Sequence, residues 1–171
     1  MIIRFPVKAA VIVIILFLGL GTYARTHSRI NNRFERETTM TNHAKGTFEV
    51  KMTPQEDKTL DANMGRMTGD KELHGDIEGT GKGQMLYAHG DNKESGAYVA
   101  IEKISGTLHG RKGTFILYHA GSMTKAGQEM NIYVVPDSGT GELVGISGKF
   151  NIIITNGKHS YDFEYAIART P

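Results

Sequence analysis

The strongest constraint on this chain is a succession of short segments that alternate apolar with polar residues, each ended by a turn signal. In Lys45–Thr53, Phe48, Val50 and Met52 share one face while Lys45, Thr47, Glu49 and Lys51 share the other, the period of a half-buried strand. Thr53-Pro54-Gln55-Glu56-Asp57 then breaks the alternation, and Leu60–Met64 has room for one helical turn at most. Gly65–Asp70 and Glu72–Ala88 read as two further strands, the second carrying Gly75, Gly79, Gly81 and Gly83. Glycine at every second position leaves one face of that strand bare, which lets a sheet coil sharply or another backbone approach. Tyr98–Leu108 and Thr114–Gly121 predict a hairpin around His109-Gly110-Arg111-Lys112-Gly113. Glu129–Val135 ends at Pro136-Asp137-Ser138-Gly139, and Leu143–Thr155 ends at Asn156-Gly157, a pair suited to a type I′ turn. His159–Ala168 closes the set, with Tyr161, Phe163, Tyr165 and Ile167 alternating against polar residues and Ala166.

Short strands in hairpin succession, with no convincing helix among them, predict an all-β fold. The arrangement that leaves no exposed edge is an antiparallel up-and-down barrel of about eight strands. A β-sandwich is the alternative. The 21 glycines and the absence of tryptophan fit a strand-and-turn protein better than a helical one.

The net charge of +2 is misleading about partners. Six Lys/Arg and two acids lie in residues 1–39, leaving 14 Lys/Arg against 16 Asp/Glu in the remainder. The folded part is therefore slightly acidic and shows no footprint for nucleic acid. Zero cysteines exclude disulfides, thiolate metal sites and thiol catalysis.

Three segments are expected: an apolar anchor or signal over residues 1–24, a linker over 25–41, and a β-barrel domain over 42–171. Ala9–Ala24 carries no charge, with Arg4 and Lys8 ahead of it. Its length lies between a signal-peptide core and the roughly 20 residues that span a bilayer. With Lys8 snorkelling, residues 5–24 reach spanning length as a single N-terminal apolar helix and tether the protein to a membrane. Cleavage after Ala24 would instead release a secreted or periplasmic domain, and a start at Met40 would leave a cytoplasmic one. The four arginines after the segment weakly favour the cytoplasmic side.

The strings SGTLHGRKGTFILYHAGSM (Ser105–Met123), VVPDSGTGELVGISGKF (Val134–Phe150), Tyr161-Asp162-Phe163-Glu164-Tyr165 and HAKGTFEVK (His43–Lys51) resemble a bacterial family of proteins of unknown function. That family is similar in fold to the small barrels of plant allene oxide cyclase and dirigent proteins. The resemblance spans roughly residues 42–168 and implies the same barrel. It carries over no catalytic residues, and proteins of that family typically begin near the equivalent of Met40.

Candidate chemistry is sparse. No His-x-His or His-x-x-x-His pair exists, so no metal site and no cofactor is expected. His119 shares a face with Phe115 and Leu117, which predicts an inward imidazole; a satisfied core histidine is the plainer reading. Glu102 shares a face with Tyr98, Ala100 and Ile104. Inside an apolar barrel such a carboxylate could act as an acid or base, although exposed strand glutamates are commoner. Tyr87, Tyr161 and Tyr165 either aim hydroxyls at a cavity or fill a core. The glycine-rich stretches match no phosphate loop, and no serine sits in a nucleophile elbow. The ligand-binding candidates are therefore Tyr87, Glu102, Phe115, Leu117, His119, Tyr161 and Tyr165, with Phe48, Val50, Ile152 and Phe163 as further wall residues. The first functional expectation is a barrel holding a small apolar molecule. An isomerase or cyclase, by fold analogy, and a filled structural barrel that forms a homo-oligomer are the alternatives.

Overall fold

The computed structural model describes residues 41–168. The apolar helix expected over 1–24 and all but the last residue of the expected linker lie outside them. The described residues form a closed barrel of eight strands: β1 (Asn42–Gln55), β2 (Met64–Gly75), β3 (Ile77–His89), β4 (Gly96–Leu108), β5 (Arg111–Thr124), β6 (Gly127–Val134), β7 (Ile146–Thr155) and β8 (Lys158–Ile167). Each strand pairs antiparallel with its neighbours in the chain, and β1 closes the sheet against β8 from Asn42↔Tyr165 to Phe48↔His159. One 3₁₀ turn, Gly141–Leu143, lies between β6 and β7.

Three boundaries differ from the sequence reading, each for a local reason. The break between β2 and β3 falls at Gly75-Asp76, not at Asp70-Lys71. Alternation runs unbroken through 70–71 because Lys71 points inward in register with Gly69 and Leu73. The actual turn has Gly75 at φ 110°, its amide bonded to the Glu78 carboxylate, while Asp76 accepts the Lys45 amide. The β4–β5 turn is only His109-Gly110, both residues at positive φ as in Asn156-Gly157, so β5 begins three residues early. Conversely, β7 begins at Ile146 rather than Leu143. Gly145 turns the chain at φ 79°, and Leu143 is withdrawn from the strand to plug the barrel end.

The interior divides in two along its axis. The end holding the β2–β3 and β4–β5 turns is filled by Leu73, Ile77, Leu108, Phe115, Leu143 and a line of stacked rings. Phe115 and Phe150 each meet Phe163 at 5.4 and 5.5 Å between ring centres, and Phe163 stacks on Tyr165 at 5.2 Å. Inward tyrosines are accommodated by a recurrent exchange of bulk for space. Tyr161, Tyr87, Tyr98 and Tyr165 are paired across the ladder with Gly46, Gly65, Gly121 and Gly148. For the first three pairs, a side chain on the glycine would strike the tyrosine ring. Glycine here is what lets a large ring lie flat inside a narrow barrel.

The wall is uneven. β5 and β6 share eight ladder positions, whereas β6 and β7 share one, Tyr133↔Lys149.

Tyr161 ties the packed end together, since its hydroxyl accepts the Ile77 amide at 2.9 Å and donates to the His74 carbonyl at 3.3 Å. Tyr161→Phe leaves the buried Ile77 N–H without a partner, so it should lower unfolding free energy by about 1–3 kcal/mol in urea titration. A loss under a few tenths would show that the bridge contributes nothing.

Candidate functional site

Beyond the packed rings, toward the end that carries the β1–β2, β3–β4, β5–β6 and β7–β8 turns, the inward side chains no longer fill the barrel. They leave a cavity of about 250 Å³ with walls that include Phe48, Val50, Met52, Met85, Met130 and Ile152. The three methionines make that wall unusually adaptable, because an unbranched thioether repacks at little cost.

At the floor of this apolar space sit Lys71, Glu102 and His119, exposed by only 8, 6 and 8%. They come from β2, β4 and β5, and β3 stands between the first two. The glycine stripe explains how they meet. On β3, Gly81 faces Lys71 on one side and Ile104 on the other, while Gly83 faces Glu102. A side chain at Gly81 would run into the Glu102 carboxylate. The bare stripe is thus the floor across which Glu102 reaches Lys71, whose ammonium donates to Oε2 at 2.8 Å. The same ammonium lies 4.5 Å over the Phe48 ring, a cation–π contact. Phe48 also stacks on His159, which lines the cavity too.

His119 approaches the same carboxylate oxygen, with Nε2 at 3.2 Å. That nitrogen is itself buried, and the Glu102 oxygen is the polar atom set against it. Burial pushes the Glu102 carboxyl up, but the adjacent His119 ring and the Lys71 ammonium outweigh it and hold the group below the ordinary glutamate range. Glu102 is therefore an anion matched by Lys71. Burial and the Glu102 charge push the nearby Tyr98 phenol up, keeping it neutral.

Of the sequence candidates, Glu102 and His119 meet at the cavity floor, and Phe48, Val50 and Ile152 form its walls. Tyr87 lines an adjoining groove of about 280 Å³ together with Tyr98. Phe115, Leu117, Tyr161, Tyr165 and Phe163 lie in the packed half, and the Tyr165 hydroxyl is engaged by His109 Nδ1 at 2.7 Å. Sequence reasoning missed Lys71. Its signal was a lysine inside a period-2 pattern with glycine two residues before and leucine two after, which a strand break placed at Asp70 concealed. Among the described residues no cluster of His, Asp and Glu has the makings of a metal site.

The fold and the polar floor define a small closed barrel with a part-open interior. The chain belongs to the DUF3224 family of proteins of unknown function, whose profile matches residues 44–165. It is similar to a crystal structure of a DUF3224 protein of unknown function from Shewanella oneidensis MR-1, with 40% identity and a TM-score of 0.72, over 77% of this chain and 100% of that one. No curated protein matches it.

Two substitutions probe the floor. Glu102→Gln leaves Lys71 buried without a counter-charge and should cost about 3–5 kcal/mol of stability. Because the folded-state pKa of Glu102 is depressed, its contribution is complete above roughly pH 4.3 and is lost as pH falls through the lower folded value. Unfolding titrations of E102Q should therefore be flatter than wild type across that acid limb. Gly81→Ala displaces the carboxylate and should destabilise by about 1–3 kcal/mol; a neutral Gly81→Ala would mean that the stripe does not seat Glu102.

Proposed function

We propose that this protein is a binding barrel that holds a small apolar molecule in the open half of its interior. The observation that carries this reading is the division of one barrel into a ring-packed half and an apolar half left unfilled. A barrel serving only as scaffold has no use for an empty apolar volume, since each missing side chain forfeits burial and dispersion contacts. The volume is also more than a few waters, whose share of liquid is about 30 Å³ each. An isomerase- or cyclase-like enzyme, analogous to allene oxide cyclase, is the second reading. It is favoured by the Glu102–His119 pair facing the cavity, in which the carboxylate would orient an imidazole that moves a proton.

Two partner readings accompany the proposal. Leu86, Val99, Ile101 and Tyr118 are exposed on the outer faces of β3, β4 and β5, and Leu86↔Val99 and Ile101↔Tyr118 are ladder neighbours. They form the surface a homo-oligomer would use. The apolar run over residues 5–24 supports a membrane tether, which would hold the barrel beside a reservoir of apolar molecules.

Native mass spectrometry of freshly purified protein should detect a retained small molecule released on denaturation. Ala100→Phe fills the cavity from its wall and should abolish that adduct, with the melting temperature within a few degrees of wild type. An adduct that survives Ala100→Phe, or no adduct together with no binding of added apolar probes, would overturn the reading.

A further inference from the structure

On the reading that the open half of the barrel is occupied, its floor presents one group able to react with an occupant. Lys71 is the only buried lysine among the described residues, every other one being exposed, and it lines the apolar cavity. A lysine amine is a nucleophile toward carbonyl carbon, and one enclosed by apolar walls is the kind that forms imines. Two contacts suit that product. The amine lies 2.8 Å from Glu102 Oε2 and 4.5 Å over the Phe48 ring, so a carboxylate and a π face are already set against a cation at this point. An iminium carries the same single charge as the ammonium it replaces, which keeps the pairing with Glu102. A noncovalent ion would instead arrive in apolar surroundings without a counter-charge.

The proton balance of such a step closes within the same pair. Glu102 Oε2 takes one proton from the Lys71 ammonium along the existing hydrogen bond. The freed amine adds to the carbonyl carbon, and nitrogen passes a proton to the carbonyl oxygen to give a carbinolamine. The Glu102 carboxyl then returns its proton to the carbinolamine hydroxyl, the C–O bond breaks and one water leaves. What remains is a protonated imine beside a carboxylate, with no oxidation or reduction and no further reactant. The volume sets the size of the partner. A dry cavity of about 150 Å³ takes benzene, so 250 Å³ suits a molecule of roughly nine to twelve non-hydrogen atoms by the same scale.

We propose that the ligand is an apolar aldehyde of this size, held covalently as a protonated imine on Lys71 Nζ with Glu102 as its counter-ion. Its hydrocarbon body lies against Val50, Met85, Met130 and Ile152 on the cavity wall. Lys71 supplies the bond, and Glu102 shuttles the proton and then neutralises the product.

Hydrocinnamaldehyde, an aldehyde of this size, tests the assignment in the full-length protein at neutral pH, with cyanoborohydride present to reduce any imine to a stable amine. Peptide mapping by mass spectrometry should show the mass of the aldehyde less one oxygen added at Lys71. That label should accumulate roughly tenfold or more faster than on any exposed lysine, a small share of the advantage that enclosure in a fixed geometry can give. Propylbenzene, which fills the cavity but has no carbonyl, should bind by ligand-observed NMR and slow labelling at Lys71 alone. Lys71→Arg keeps a cation beside Glu102 without a condensable amine; it should still bind propylbenzene and lose the fast-labelled site. The competition in the wild type decides the matter even if Lys71→Arg fails to fold. Propylbenzene binding without preferential labelling of Lys71 overturns the imine and leaves the apolar-cavity reading standing. Fast labelling that propylbenzene does not slow puts the reactive amine outside the cavity and overturns the imine as well. Neither binding nor fast labelling overturns both.

Discussion

Closing eight strands on themselves creates an interior of nearly constant width, in which inward side chains from opposite walls compete for one volume. This barrel resolves the competition by pairing bulk with absence. Tyr161 lies over Gly46, Tyr87 over Gly65 and Tyr98 over Gly121, each pair formed by direct ladder neighbours. The same exchange produces the polar floor. Gly79, Gly81 and Gly83 empty the inner face of β3, and Glu102 crosses the vacated space to reach Lys71 on β2. Restoring side chains to that face would remove the path, and the buried ion pair with it.

The two halves of the interior differ in what fills them. Ring stacking around Phe163, with Leu143 as plug, buries apolar surface completely and carries the stabilising term. The Lys71–Glu102 pair adds little net stability, because desolvating two ions consumes most of their attraction. Apolar residues at those positions would pack at least as well. The ladder is uneven in the same region. β6 and β7 share one ladder position, Tyr133↔Lys149, and next to the cavity they supply Met130 and Ile152 to its wall. That seam is the part of the wall with the fewest ladder positions, so local opening there breaks the least backbone hydrogen bonding.

Much of this was legible in the order of residues. Phe48, Val50 and Met52 on one face of β1, and Phe115, Leu117 and His119 on one face of β5, follow from period-2 alternation alone. Asn156-Gly157 announces its turn through two residues that tolerate positive φ. The family resemblance carried by residues 42–168 agrees with the profile match. Lys71 was hidden because a charged residue inside an apolar alternation looks like the end of a strand. Its inward direction makes sense only once Glu102 is seen waiting two strands away. The His109-Gly110 turn was obscured by the glycine at 113, which suggested a longer loop.

What the sequence by itself determined is the strand period, which side chains share a face, and most of the turns, all of which are local properties of consecutive residues. It marked His119 as inward-facing for the same reason, and put Glu102 on one face with Tyr98, Ala100 and Ile104 while an exposed carboxylate was the commoner reading, which its burial overturns. Only the tertiary structure decided how deep along the barrel each inward residue lies. It placed Phe115, Leu117, Tyr161 and Tyr165 in the packed half, and Val50, Met85 and Ile152 around the cavity. It also brought Lys71, Glu102 and His119 to one carboxylate oxygen. Alternation encodes face but not depth, and depth is set by the register of eight strands closing against one another.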